Sequence, residues 1–184
     1  MKGTNMIYVF LADGFEEVEA IGPVDVLRRA GLEVRTVGVG ADVVTGSHGI
    51  KITADIRENE ASFDDLDAVI LPGGMPGTLN LEKNDTVQRF IDYCAENDKY
   101  LCAICAAPSV FGHKGLLKGK EATAFPEFQS HLDGARLSES YVARDGKFIT
   151  ARGAGVSLEF GAEIASVFVG REKAFSILKS MQSK

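Results

Sequence analysis

Residues Tyr100-Leu101-Cys102-Ala103-Ile104-Cys105-Ala106-Ala107-Pro108 constrain the fold more than any other stretch of this chain. An apolar run with strand character stops at Cys105, and small residues lead through Pro108 into a second apolar segment. Proline is at home in the first turn of a helix, where its missing N–H costs nothing. The pattern predicts a strand, a sharp turn and a helix, with Cys105 on the turn. Small neighbours are what a nucleophile elbow requires, because its crowded backbone leaves no room for bulk. Such an elbow holds a side chain at the rim of a sheet and aims helix N–H groups at it. Those dipoles favour thiolate, the nucleophilic and oxidisable form of cysteine. The alternative is a plain buried core cysteine, and the elbow context weighs against it.

Around this element the chain alternates between strand and helix patterns. Met6 to Ala12 is continuously apolar, the mark of a strand covered on both faces. Phe15 to Ala30 reads as a helix closed by Gly31, with Glu16 and Glu17 as solvated charges in its first turn. Strands are expected at Glu33–Val39, Ala68–Leu71 and Leu101–Ile104, and a hairpin at Val43–Ile52. Thr86 to Ala95 has one buried helical stripe. Short strands at 122–124, 141–143 and 148–151 precede two closing helices at 158–169 and 172–182. This alternation implies a parallel sheet covered on both faces, with ligands at the carboxyl ends of the strands. Asp13-Gly14, Gly73-Gly74 and Cys105 all fall there.

The 184 residues fit one domain, 1–184, and 45% apolar with 25% charged residues is ordinary for a globular chain. A net charge of −6 argues against nucleic acid or an anionic membrane as the main partner. No stretch is apolar enough to span a bilayer, and the start lacks a signal peptide's layout. Three cysteines without a disulfide framework point to a reducing, cytoplasmic setting.

Other motifs narrow the chemistry. Cys102-Ala103-Ile104-Cys105 is formally a C-x-x-C, but Cys102 lies inside the apolar strand, which disfavours a redox dithiol. Pro72-Gly73-Gly74 reads as a tight turn or as an oxyanion hole, whose glycine N–H would act with that of Ala106. Glu19 alone is a helix charge; beside Cys105, in its protonated form, it would donate a hydrogen bond and shuttle protons. His113 lies about 12 Å past Cys105 on a continuous helix, too far to pair with it, and His48 and His131 lie in irregular stretches. Neither a phosphate loop nor a dinucleotide fingerprint is present, so no cofactor and no metal are expected. Ala151-Arg152-Gly153-Ala154-Gly155, before the penultimate helix, has the form of an anion cradle but reads first as a backbone turn.

Taken together, five blocks resemble one family. They are Leu11–Glu19, Pro23–Gly31, Leu71–Gly74, Ala103–Pro108 and Ala151–Phe160, in order over nearly the whole chain. The chain resembles the ThiJ/PfpI family, in the branch of the parkinsonism-associated redox protein and its bacterial relatives. The resemblance implies an α/β, flavodoxin-like (class I glutamine amidotransferase-like) three-layer sandwich with a mainly parallel central sheet, and a homodimer. It implies a reactive elbow cysteine at Cys105, a glutamic acid bonded to it at Glu19, and oxyanion amides at Gly74 and Ala106. Family members have been described as glyoxalases, deglycases, oxidative-stress sensors and holding chaperones, and one branch as proteases. The protease branch has His after the cysteine where this chain has Ala106, so peptidase activity is not expected. A Thr-His-Pro segment brings a histidine near the site in the parkinsonism-associated branch, whereas here Ala124-Phe125-Pro126 carries phenylalanine. The expected function is a cofactor-free, cysteine-dependent glyoxalase or deglycase acting on small 2-oxoaldehydes or their early glycation adducts. The alternative is an oxidation sensor or holding chaperone working through Cys105.

Overall fold

The computed structural model describes residues 5–183. In chain order the elements are β1 (Met6–Leu11), α1 (Glu17–Arg29), β2 (Glu33–Gly38), β3 (Val43–Thr45), β4 (Lys51–Thr53) and β5 (Ile56–Arg57). Then follow β6 (Leu66–Leu71), α2 (Gly77–Lys83), α3 (Asp85–Glu96), β7 (Tyr100–Ile104) and α4 (Pro108–His113). The chain closes with β8 (Glu121–Ala122), β9 (Arg136–Leu137), β10 (Val142–Asp145), β11 (Phe148–Ala151), α5 (Ser157–Val169) and α6 (Arg171–Ser180).

Seven strands form one sheet in the order β10-β11-β7-β6-β1-β2-β5. All neighbours run parallel except the β10–β11 hairpin. The apolar run of β1 is explained by period-two alternation between two cores. Ile7, Val9 and Leu11 face the layer of α1, α5 and α6, whereas Tyr8 and Phe10 face the layer holding α3 and α4. Each fully buried aliphatic or aromatic side chain contributes about 1.5–3 kcal/mol, so both faces must be covered. The three-layer α/β architecture expected from the sequence is the one observed.

Several short elements differ from the sequence reading. The hairpin forms as β3–β4 but as a separate two-stranded sheet, and β8 pairs with β9 outside the main sheet. Helix α2 and edge strand β5 carry no periodic signal long enough to read. Helix α1 keeps Pro23 in its interior. Proline at that point matches a close crossing: a Cβ on Gly161 of α5 would lie 2.9 Å from the Pro23 Cα. Gly161 therefore lets α1 seat on α5, which fixes the helix that carries Glu19.

Strand β1 feeds β2 on one side, and the chain later returns to place β6 on the other. The carboxyl ends of β1, β6 and β7 thus border the crevice where such a sheet reverses order, the usual ligand position.

Candidate active site

Cys105 follows β7 directly, with φ at 64°, a left-handed conformation that a side chain adopts at a cost of order 1–3 kcal/mol. The surroundings over-determine it. Its N–H donates to the Ala151 carbonyl at 2.9 Å, and its carbonyl accepts from Phe125 N–H at 2.9 Å. The expected elbow is present, and Pro108 opens α4 behind it. Helix α4 has only six residues, so a long macrodipole is not what acts on the sulfur. Local amides do: the N–H groups of Ala106 and Gly74 both bond the Cys105 thiol and oppose the rise in its pKa.

Gly74 reaches this position through a left-handed turn at φ 89°. Gly73 is required by close approach, because a Cβ there would lie 2.6 Å from Cys105 Cβ and 2.6 Å from Glu19 Oε2. Its N–H donates to Glu19 Oε2 at 3.0 Å, and its carbonyl accepts from Glu16 N–H at 2.9 Å. One short loop after β6 therefore addresses both the carboxyl and the thiol.

Glu19 is fully buried, while its apolar neighbours Val18 and Ile21 are 45% and 38% exposed. Hydropathy on this turn of α1 is inverted, with the carboxyl inside and the aliphatic side chains outside. Burial raises the Glu19 pKa to about 7, against lowering by its interactions with Cys105 and with the Gly73 N–H. Burial, then the charge and hydrogen bonding of Glu19, push the Cys105 thiol up to about 12. The sequence expectation of a thiol lowered by helix dipoles is corrected here, because desolvation outweighs the two amides. Both groups are thus held above their usual ranges, and as a coupled pair they share the charge left when the first proton leaves.

Where the remaining proton sits follows from the donors. Two N–H groups serve the sulfur and one serves Oε2, while Glu19 Oε1 is buried without a partner among the described residues. A proton on Oε1 directed at the sulfur leaves neither group unsatisfied. An ionised carboxylate would leave Oε1 both charged and unpaired, which is the costlier arrangement.

The other cysteines lie elsewhere. Cys94 and Cys102 are buried, and burial raises Cys94 to about 12 and Cys102 well above the usual thiol range. Cys102 lies inside β7 facing the α1/α5 core, as the sequence placed it, and Cys94 faces the opposite core. His113 pairs with Glu82 and, at 3.1 Å, with His131, away from Cys105.

One further sequence reading needs correction. Glu17 is not a solvated first-turn charge: it is 8% exposed, and its Oε1 accepts from His48 N–H at 2.9 Å and Ile50 N–H at 3.3 Å. These bonds tie the β3–β4 hairpin to α1. Glu16, Glu17 and His48 bring ligand atoms within 4.8 Å of one another. His48 Nδ1 lies 3.0 Å from Glu17 Oε2, so these donors already serve each other. The stretch Arg152-Gly153-Ala154-Gly155 makes the expected backbone turn, into the 3-10 turn Ala154–Val156. The Arg152 guanidinium reaches Thr123 Oγ1 at 3.3 Å and the Ser138 carbonyl at 3.2 Å, and lies 5.0 Å from the Tyr141 ring centroid.

The sequence reading missed an adjoining cleft of about 520 Å³, lined by Phe125, Pro126, Tyr141, Gly153 and Val156 among others. Phe125 stands at its wall where the resemblance had placed a histidine. The departure at Ala124-Phe125-Pro126 was the one available signal; Tyr141 and Val156 gave none.

Comparison with known proteins identifies the family. The DJ-1/PfpI family model matches residues 5–167. Protein DJ-1 homolog B of Arabidopsis thaliana is 41% identical over 97% of this chain, which spans 41% of that relative's length. Protein dj-1beta of Drosophila melanogaster is 34% identical over 94% of each chain. The solved structure of Toxoplasma gondii DJ-1, described as oxidized, superposes with a TM-score of 0.89 at 30% identity, covering 97% of this chain and 98% of that one. The chain belongs to the DJ-1/PfpI family.

Proposed function

We propose that the protein is a cysteine-dependent glyoxalase or deglycase, converting small 2-oxoaldehydes, or their early adducts with thiols and amines, to 2-hydroxy acids. The observation that supports this reading is the convergence on Cys105 of two backbone N–H groups and a buried carboxyl of raised pKa. The Cys105 sulfur adds to the aldehyde carbon, and the carbonyl oxygen takes the proton of Glu19 while the N–H groups of Gly74 and Ala106 steady its developing charge. Glu19, now a carboxylate, removes the hydrogen from the former aldehyde carbon and returns it to the neighbouring carbon, while the hydroxyl proton of the first carbon passes to the ketone oxygen. A thioester of the 2-hydroxy acid results, and water hydrolyses it to free acid and thiol. Glu19 near neutrality suits both directions of proton transfer. The reaction as written draws on no metal or cofactor.

A second reading, an oxidation sensor or holding chaperone, is favoured by Cys105 being the only one of the three cysteines that is not buried. That a relative has been described as oxidized points the same way. In this reading the oxygens of a sulfinate would take the N–H groups of Gly74 and Ala106 and the Glu19 proton.

One experiment separates the two. Purified protein is incubated with methylglyoxal and assayed for lactate, and a parallel sample is treated with mild peroxide and mapped by mass spectrometry. Cofactor-free lactate formation that Cys105→Ser abolishes is the expected result. Turnover at the wild-type rate in Cys105→Ser would sink the enzyme reading. Oxidation confined to Cys105 without any turnover would select the sensor.

The remaining expectations are proposals of the same standing. No helix among the described residues is long and apolar enough to cross a membrane, and we place the protein in the cytoplasm. We also infer a homodimer through α1, where Val18 and Ile21 offer an apolar face beside the hairpin residue Ile50, itself 55% exposed. Light scattering should give twice the chain mass for wild type and a shift toward monomer for Ile21→Glu. A wild-type monomer at micromolar concentration would overturn this.

A further inference from the structure

We propose that the cleft beside Cys105 selects 2-oxoaldehydes with an apolar, ring-sized substituent over methylglyoxal. This rests on the glyoxalase reading and names its substrate class.

The argument begins with Phe125. Its backbone N–H bonds the Cys105 carbonyl, so the ring springs from a residue fixed to the elbow itself. The side chain is nevertheless 41% exposed, and Tyr141 across the cleft is 62% exposed. Large apolar groups left facing water at a cleft mouth are what an apolar ligand covers. Gly153 lines the same cleft. A Cβ on Gly153 would stand 3.4 Å from the Phe125 ring and 3.9 Å from Glu19 Oε1. The same point therefore touches the apolar wall and the unpartnered oxygen that holds the transferable proton.

The cation of the cleft does not change its character. Arg152 is held by Thr123 and Ser138 and lies against the Tyr141 ring, so it serves as wall and brace. Val156 and Pro126 complete an apolar lining of a space of about 520 Å³. A methyl group on the substrate's ketone carbon would leave most of that space to water. A phenyl group can contact Phe125 and Tyr141 while the aldehyde carbon lies toward Cys105. Hydrophobic pockets discriminate by about 10- to 200-fold for each methylene matched or missed, so the difference between methyl and phenyl should be measurable.

Two readouts test the proposal, one independent of turnover. The first is kcat/KM for phenylglyoxal against methylglyoxal. The second is calorimetric binding of the corresponding products, mandelate and lactate, to the unmodified protein. Phenylglyoxal and mandelate are each expected to be favoured at least tenfold. Gly153→Ala introduces one methyl group at a position whose extended backbone, φ 166°, accepts alanine without strain. It should reduce kcat/KM for phenylglyoxal, and affinity for mandelate, at least tenfold more than the corresponding values for the methyl compounds. Phe125→Ala should erase most of the preference. Equal values for the two members of either pair, or equal losses in Gly153→Ala, overturn the proposal. If neither aldehyde is turned over but mandelate still outbinds lactate in a Gly153-dependent way, the glyoxalase reading fails and the selectivity of the cleft stands.

Discussion

Replacing Glu19 with alanine is expected to slow alkylation of Cys105 by iodoacetamide at pH 7 by about tenfold. With the remaining proton held on Glu19 Oε1, the charge left when the pair loses its first proton rests on the sulfur, which the Gly74 and Ala106 N–H groups also serve. Without the carboxyl, the sulfur keeps its two amide donors but stays desolvated, and burial pushes the thiol up. Each pH unit by which the thiol rises removes about nine-tenths of the thiolate at pH 7. Glu19→Gln should fall between, because its amide N–H can still donate to sulfur. Glu16→Ala, which does not touch the thiol, should stay near wild type. The measurement is the pH profile of alkylation, followed by mass spectrometry. Its sign decides the proton's place: if the charge rested on Glu19 instead, removing that carboxylate would relieve repulsion and alkylation would become faster.

The same carboxyl should make stability depend on pH in an unusual direction. Its pKa is about 7 folded against 4.5 for the ordinary group, so the folded protein holds a proton that the unfolded chain releases between those values. Stability then falls as pH rises through this window, by about 3 kcal/mol in all. Glu19→Gln, neutral throughout, does not share that loss. The difference in unfolding free energy, variant minus wild type, should therefore be about 3 kcal/mol more positive at pH 8 than at pH 4. Glu17 works in the opposite sense: its hydrogen bonds with His48 and Ile50 hold its pKa down despite the opposing effect of burial. Its contribution is lost as pH falls, but it is common to both proteins and cancels in the difference. Urea denaturation of both proteins at the two pH values is the check. Parallel pH profiles would mean that Glu19 titrates as an exposed carboxylate and that its burial does not control its charge.

These two results bear on a site whose members come from three separate segments, and the segments differ in how far local sequence determines them. The strand–elbow–helix around Cys105 was readable because its cause is local. A left-handed residue at a crowded turn demands small neighbours, and Ala103, Ala106, Ala107 and Pro108 supply them. The main strands were readable for a similar reason: a run such as Met6–Leu11 stays apolar at every position only when both faces are covered. Glu19 was named from the family resemblance. Its local pattern also carries a trace, since it stands four positions before the buried Pro23 and seven before Val26. Helical periodicity alone could not say that Val18 and Ile21 would face outward while a carboxyl went in.

Tertiary structure decided the rest, because the deciding energies are long-range. Burial of Glu19 and Cys105 sets the direction of both pKa shifts, and burial depends on α5 crossing α1 at Gly161 and on the loop after β6 closing at Gly73. Glu17 became structural because a hairpin some thirty positions later brought two backbone N–H groups to it. The cleft faced by Phe125, Tyr141 and Val156 exists because the β10–β11 edge and the 3-10 turn at Pro126–His131 meet beside the elbow. A local sequence pattern fixes which residues can turn, alternate or cap. It does not fix which distant groups will remove water from a carboxyl, and in this protein that removal of water controls the proton between Glu19 and Cys105.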